Sequence, residues 1–270
     1  MQVELQEKWE ILLDILKKQG RVAVAFSGGV DSTFLLYAAK QALGERTAAV
    51  TVQCGWVPER ETEEAKQFCK DSHIPHYICR AEMHQIDGFC ENPPERCYLC
   101  KKVIFTKMKE LAAELGYYAV LEGSNTDDLD DYRPGMRAIR ELGVASPLKE
   151  AGLSKEEIRI LSKEHGLPTW EKPSFACLAS RFVYGETITE EKLQMVDRAE
   201  QKLMDYGFHQ FRVRIHGKMA RIELLPEEMG RLLERKLRGE IEAYFKELGF
   251  TYVTLDLSGY RTGSMNEAIL

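Results

Sequence analysis

Leu5, Trp9, Leu12, Leu13 and Leu16 recur at helical spacing among charged residues, and Gly20 closes the pattern. This predicts an amphipathic helix over residues 4–19. The apolar run Val22-Ala23-Val24-Ala25-Phe26 then enters a glycine turn, and residues 34–39 leave it with helical periodicity. Further on, residues 47–52 predict a second buried strand, 61–72 a helix, 76–78 a third strand, 103–115 a helix and 117–121 a fourth strand. Strands alternating with helices imply a parallel sheet with right-handed crossovers. Residues 79–100, which hold Pro93, Pro94, Cys90, Cys97 and Cys100, predict an irregular loop.

Residues 136–142 read as a short helix, and Ser154-Lys155-Glu156-Glu157 reads as a capping box opening a helix that reaches His165, with Gly166 and Pro168 closing it. Residues 170–182 show neither helical nor alternating periodicity. Holding Cys177, Ser174, Ser180 and Arg181, they are expected at a site rather than in a structural element. Beyond Gly185 the pattern changes to a charged helix over 189–206, a hairpin of strands 210–216 and 219–224 around Gly217, a helix over 227–248 and a last strand over 251–257. The expected organisation is an α/β domain with a parallel sheet over 1–185 and a smaller α+β domain over 186–270.

Composition narrows the function classes. The chain has 270 residues, of which 44% are hydrophobic, and a net charge of −6. That charge offers no general attraction to nucleic acid. The apolar runs are shorter than the ~20 residues a membrane span needs, and Met1 to Glu7 does not read as a secretory signal. The expectation is a cytoplasmic protein with neither nucleic acid nor membrane as partner. Seven cysteines, an odd number, suit reduced thiols better than a disulfide framework. Cys97 and Cys100, with or without Cys90, are either plain thiols, a dithiol pair or ligands of a metal or cluster.

The turn Ser27-Gly28-Gly29-Val30-Asp31-Ser32-Thr33 between strand and helix presents unpaired backbone N–H groups and a positive helix end, which suit a phosphate. Glycines permit close backbone approach, and the hydroxyls can donate to phosphate oxygens. Asp31 repels a bare phosphate but suits a divalent cation or a helix cap. Neither a Walker-type lysine spacing nor G-x-G-x-x-G occurs here, so from these residues alone the stretch is a phosphate loop or an ordinary turn. Residues 122–128, Glu-Gly-Ser-Asn-Thr-Asp-Asp, leave the carboxyl end of a strand, where open α/β sheets bind ligands, or simply cap a helix.

Cys177 is the candidate nucleophile, with Arg181 or Lys172 as the cation that would favour its thiolate; the alternative is a small buried hydrophobe. On strand 210–216, Arg212 and Arg214 alternate with Phe211, Val213 and Ile215. Two guanidinium groups about 7 Å apart on one face make a clamp for a phosphate or carboxylate, or a solvated face. The glycine-rich segment 256–266 is either a frayed tail or a loop folded onto the site.

Residues 27–32 resemble the SGGxDS signature of the PP-loop ATP pyrophosphatases (adenine nucleotide alpha hydrolase-like). The order of SGGVDST, RCYLCK, LEGSNTDD, DYRPG, SPLKEAGLSKEEIR, GLPTWEKPSFACLASR, FRVRIH and GYRTGSMN resembles the LarE-type ATP-dependent sacrificial sulfur transferases across nearly the whole chain. The resemblance implies that ATP adenylates a carboxylate of a pyridinium biscarboxylate mononucleotide. A cysteine then attacks the acyl adenylate, and C–S cleavage leaves a thiocarboxylate on the substrate and dehydroalanine in the protein. The product is a precursor of the nickel-pincer cofactor of lactate racemase. Carried onto this chain, Ser27, Gly28, Gly29, Asp31, Ser32 and Gly123 would bind ATP, and Asp31 and Glu223 would lie near Mg²⁺. Cys177 would donate sulfur, assisted by Ser180 and Arg181, while Arg212 and Arg214 would hold the substrate phosphate. The family also implies a homo-oligomer, a hexamer. Some members are cluster-bearing and keep three cysteines at the site; only Cys177 stands in this loop, which favours sacrifice. The alternatives are another PP-loop adenylating enzyme, such as a tRNA thiolase or an amide-forming synthetase, and a nucleotide-binding regulator that never cleaves ATP.

Overall fold

The computed structural model describes residues 2–129, 134–173, 177–261 and 264. The Asp131-Tyr132-Arg133 part of the DYRPG motif, Ser174 to Ala176, and most of 262–266 lie outside the described residues. By contacts the chain forms two compact units, Met1–Ile86 with Glu95–Phe175, and Asp87–Pro94 with Ala176–Leu270. The two units therefore do not divide at residue 185: the segment carrying Cys177 packs with the C-terminal elements, and so do residues 87–94.

In the first unit the elements run α1 (Gln2–Lys17), β1 (Val22–Ala25), α2 (Val30–Leu43), β2 (Thr47–Gln53), α3 (Glu59–Asp71), β3 (His76–Arg80), α4 (Arg96–Glu114), β4 (Ala119–Leu121), α5 (Gly135–Glu141), α6 (Pro147–Glu150) and α7 (Lys155–Glu164). The sheet order is β3-β2-β1-β4, all parallel, with Val22 beside Thr47 on one side and Ala119 on the other. Val22, Ala23 and Val24 are wholly buried, as a central parallel strand covered on both faces requires. The predicted stripe of α1 goes inward, with Leu5, Trp9, Leu12 and Leu16 in the core beside Phe34, Leu35 and Leu36 of α2. Each fully buried leucine or phenylalanine contributes about 1.5–3 kcal/mol. Since β1 is followed on one side by β2 and β3 and on the other by β4, the loops after β1 and β4 face each other at a topological switch point. This is the crevice in which such sheets bind ligands.

One expectation fails here. Helix α4 begins at Arg96 rather than near residue 103, so Cys97 and Cys100 stand on its first turns instead of in a loop. Arg96 is buried although charged, and the N-cap residue Glu95 makes no side-chain capping bond, so the usual start signal is missing.

The second unit contains α8 (Glu190–Asp205), β5 (Phe211–His216), β6 (Met219–Leu224), α9 (Pro226–Leu232), α10 (Arg235–Glu247) and β7 (Tyr252–Leu255). Strands β5 and β6 form the expected antiparallel hairpin, and β7 joins β6 in parallel. A parallel neighbour needs a crossover, which α9 and α10 supply. The expected single helix over 227–248 is thus two helices, broken at Leu233-Glu234. Residues 87–94 are fixed to this unit by Asn92: its Nδ2 donates to the Val183 carbonyl at 2.6 Å and its carbonyl accepts from Gly185 N at 2.9 Å.

Candidate active site

The first set of functional residues surrounds the N-terminus of α2. Gly28 has φ of +71°, a conformation a side chain would strain. Gly29 is the helix N-cap and makes no side-chain capping bond, which leaves the first-turn N–H groups to a ligand. The loop is held from within: Ser27 and Ser32 hydroxyls lie 3.0 Å apart, and Ser32 Oγ donates to the Gly29 carbonyl at 3.1 Å. Across the switch point Gly123 packs so closely that a Cβ there would sit 3.1 Å from Ser32 N. A side chain there would force the β4 loop or this helix end to give by a few tenths of an ångström.

Behind the loop, Thr51 Oγ1 donates to the Phe26 carbonyl at 2.7 Å and meets His76 Nε2 at 2.7 Å. Burial, with Lys66 adding to it, pushes the His76 imidazole below its ordinary value. A neutral ring that donates from Nε2 suits this chain of bonds. Lys172, expected as one possible cation for Cys177, is committed elsewhere. Its ammonium donates to the Gly28 carbonyl at 3.2 Å and pairs with Glu61 at 2.7 Å and Glu64 at 2.6 Å. Burial opposes its charge, but the two carboxylates prevail and raise it above the ordinary lysine value. Beside these residues a cavity of about 810 Å³ runs between α2 and α3, lined by Gly28, Thr33, Tyr37, Phe68 and Lys172 among others.

Asp31 is ion-paired with Lys155 through Oδ2 and approached by Asn125 Nδ2 at 3.4 Å. A partly exposed carboxylate at the phosphate-binding end of a helix fits a magnesium ion, which binds through one or two carboxylates and takes its other ligands from water and phosphate.

In the second unit Cys177 is half-buried and heads a 3₁₀ turn, Leu178–Arg181. Arg181 donates to both oxygens of Glu200, each at 2.8 Å, to Ser180 Oγ at 2.8 Å and to the Cys177 carbonyl at 3.4 Å. Burial disfavours its charge, yet Glu200 chiefly, then Cys177 and Tyr260, hold it above the usual arginine value. Within this unit Arg181 is thus the cation held against the turn that Cys177 heads. Glu200 also accepts from Val213 N at 2.9 Å, which ties the turn to β5.

Arg212 and Arg214 are not a solvated face. They are 4% and 5% exposed, on the opposite side of β5 from the core residues Phe211, Val213 and Ile215. Arg214 makes a two-bond pair with Glu223 at 3.1 and 2.9 Å and donates to the Ser180 carbonyl at 2.8 Å and to Ser264 Oγ at 3.0 Å. Arg212 lies 5.1 Å from the Tyr260 ring centre. Burial and the like charge of Arg181 push it down to about 10, against the pull of Glu200 and Tyr260. Arg181 pairs with Glu200, Arg214 and Arg221 with Glu223, and Arg221 and Arg261 with Asp256; with Arg212 beside them the guanidinium groups outnumber these carboxylates, which suits an anion.

Glu223 does not fit the metal role expected of it. Its oxygens are held by Arg214, by Arg221 at 3.1 Å and by Ser264 Oγ at 3.0 Å, so it orients guanidinium groups instead. Among the described residues no group of three or more His, Cys, Asp or Glu side chains could hold a metal ion. Glu200 and Lys155 were not among the candidate site residues of the sequence; Tyr260 and Ser264 belong to the segment 256–266, and both lie against the arginine cluster, as a loop folded onto it requires. For Glu200 the signal was present, since it interrupts the buried stripe Leu193, Val196, Ala199 and Leu203 of α8 with a charge.

Comparison with known proteins agrees with this geometry. Residues 1–129 match the PP-loop domain family, so the loop of residues 27–32 belongs to an ATP-binding domain of the ATP pyrophosphatase class. Over 98% of this chain and 96% of the other, 36% of residues are identical to the pyridinium-3,5-bisthiocarboxylic acid mononucleotide synthase of Lactiplantibacillus plantarum. An uncharacterized protein of Synechocystis sp. is 42% identical over 98% of this chain and 99% of its own. Another, from Methanocaldococcus jannaschii, is 30% identical over 91% of this chain and 92% of its own. The chain belongs to the LarE family of PP-loop ATP pyrophosphatases, as its ordered motifs implied. No helix among the described residues is long and apolar enough to cross a membrane.

Proposed function

We propose that this protein is an ATP-dependent sulfur transferase that activates a carboxylate of pyridinium-3,5-biscarboxylic acid mononucleotide and delivers sulfur to it from Cys177, toward the nickel-pincer cofactor of lactate racemase. The observation that carries the reading is the setting of Cys177, half-buried at the head of a turn whose Arg181 is locked by Glu200, beside a strand with two buried arginines.

The substrate carboxylate attacks the α-phosphorus of ATP, forming an acyl adenylate and releasing pyrophosphate, for which the N–H groups of residues 28–32 and the Ser27 and Ser32 hydroxyls are the donors. Asp31 would hold a magnesium ion, which when bound neutralises phosphate charge. Cys177, as the thiolate favoured by Arg181, attacks the acyl carbon; AMP leaves with its electron pair, and a thioester forms. Removal of the Cys177 α-proton then breaks the Cβ–S bond. The electron pair stays on sulfur, so the products are a thiocarboxylate and dehydroalanine. Arg212 and Arg214 hold the substrate phosphate, and the Ser180 carbonyl links Arg214 to the turn. The smaller unit is read as the substrate-binding and oligomerisation domain of a homo-oligomer, a hexamer, and ATP dependence suits a cytoplasmic enzyme.

Intact-protein mass after turnover with ATP, Mg²⁺ and the biscarboxylate tests this. The expected result is loss of one H₂S at Cys177; thiocarboxylate formed with the protein mass unchanged overturns it.

A further inference from the structure

The cavity between α2 and α3 has no task in the reaction proposed above. Its walls all belong to the first unit, and of them only Gly28 is part of the nucleotide site. It runs along the flanks of the two helices, from Thr33 to Gln41 on α2 and from Glu64 to Asp71 on α3. Thr33 and Gln41 thus stand about 12 Å apart along the helix axis, whereas the nucleotide crevice lies at the strand ends. At about 810 Å³ the cavity falls within the range of small-molecule pockets, roughly 300–1,000 Å³. Two polar atoms in its walls lack partners. A threonine inside a helix ordinarily bonds a carbonyl of the preceding turn. Thr33 is wholly buried and its N–H donates to the Gly29 carbonyl at 2.9 Å, yet its Oγ1 has no hydrogen-bond partner among the described residues. Neither has Oγ1 of Thr169, which also lines the cavity. Buried hydroxyls left in this way are costly unless something bonds them.

We propose that this cavity is an effector site for a neutral, planar aromatic molecule carrying a hydrogen-bonding group, and that its occupant tightens ATP binding. Phe26, Tyr37 and Phe68, with Leu167 and Pro168, give the cavity aromatic and apolar walls. The Phe26 and Phe68 rings lie 5.5 Å apart, tilted by 44°, and offer faces and edges to a flat ring. Its charged wall residues are two lysines, Lys40 and Lys172, and two carboxylates, Glu64 and Asp71. Lys172 pairs with Glu64 at 2.6 Å and Lys40 with Glu45 at 2.7 Å, so the walls carry no excess charge to hold an ion. The Thr33 and Thr169 hydroxyls can each donate to or accept from a carbonyl, an amide or a ring nitrogen. The link to ATP runs through Lys172, which lines the cavity and donates to the Gly28 carbonyl at 3.2 Å. A molecule packed on Lys172 holds that contact in place, so the loop is already ordered when the nucleotide arrives. None of this rests on sulfur transfer.

Calorimetry on the full chain with 2-naphthamide as the probe, and with no mononucleotide present, tests both halves. The expected result is saturable binding at one site, and its absence overturns the proposal. ATP with Mg²⁺ should raise the probe's affinity about fivefold, and saturating probe should raise ATP affinity by the same factor, as linkage requires. Competition between the two would seat the probe in the nucleotide crevice and overturn the site; independent binding overturns the coupling. Thr33→Val keeps the side-chain shape and removes only the hydroxyl, so the probe should bind about fivefold more weakly. The thermal midpoint of that variant should be unchanged or higher, since a buried hydroxyl without a partner is gone. Unchanged probe affinity in Thr33→Val overturns the assignment. Gln41 is exposed, so Gln41→Trp is a second variant that the fold tolerates; it should block the far end and weaken the probe, and full binding there places the probe elsewhere. The anion 2-naphthoate, with the same rings, should not displace 2-naphthamide; equal displacement overturns the preference for a neutral molecule. The mass experiment on Cys177 is unaffected by any of these outcomes, so the two readings fail separately.

Discussion

At the scale of single residues, the pair Arg181–Glu200 holds the turn that carries Cys177. Burial penalises the Glu200 carboxylate, but the Arg181 guanidinium with its hydrogen bonds outweighs that and holds the group below the ordinary carboxylate range. A lowered carboxyl stabilises the fold above its unfolded value, about 4.3, and that stability is lost as pH falls through the lower folded value. Glu200→Gln leaves Arg181 buried without its carboxylate, which should cost about 3–5 kcal/mol near neutrality. Urea unfolding at pH 7 and in acid is the check: the gap between wild type and variant should narrow as pH falls below about 4. A gap of equal size at both pH values would mean that the charge of Glu200 plays no part. Glu200 was readable in principle as a lone charge on an apolar stripe. Its partner was not, because nothing local links Arg181 to a residue 19 positions later.

At the scale of elements, legibility followed the presence of start and stop signals. The helix α7 was visible because Ser154 and Glu157 form a reciprocal cap, with Glu157 N to Ser154 Oγ at 3.2 Å and Ser154 N to Glu157 Oε2 at 2.8 Å. The start of α4 lacked such a cap, and the break between α9 and α10 falls at Leu233-Glu234 with neither glycine nor proline at the break itself. Hydrophobic periodicity simply runs on through such a place. The cap of α7 also presents Lys155, so it has a functional consequence. Ser154→Ala should destabilise the chain by about 1 kcal/mol and, by loosening the helix start, weaken ATP binding more than Ser154→Asp, which keeps a capping oxygen. Equal ATP affinity in both variants would detach the cap from the nucleotide site.

At the scale of the whole molecule, the glycine turn between strand and helix was visible because it is local, though its residues alone left a phosphate loop and an ordinary turn open, as those of β5 left an anion clamp and a solvated face open. Alternation along β5 predicted correctly that Arg212 and Arg214 share a side, but burial of that side comes from Tyr260 and Ser264, far along the chain. Burial changes the expected behaviour of Arg212. Its guanidinium is pushed down to about 10 by desolvation first and by Arg181 next. A base lowered in this way costs stability while protonated, a cost present at neutral pH that fades as pH rises through about 10. An anionic substrate group would offset the same cost. Arg212→Met should therefore leave thermal stability unchanged or higher, since an apolar side chain of similar reach replaces a buried charge. ATP affinity, which belongs to the loop of the other unit, should stay at the wild-type value, while KM for the mononucleotide rises at least about tenfold, the loss of a charge-assisted phosphate contact. Calorimetry with ATP beside steady-state kinetics with the mononucleotide distinguishes the cases. A matching loss of ATP affinity would remove Arg212 from substrate binding, and a sharp drop in thermal stability would show that its charge is already balanced within the fold.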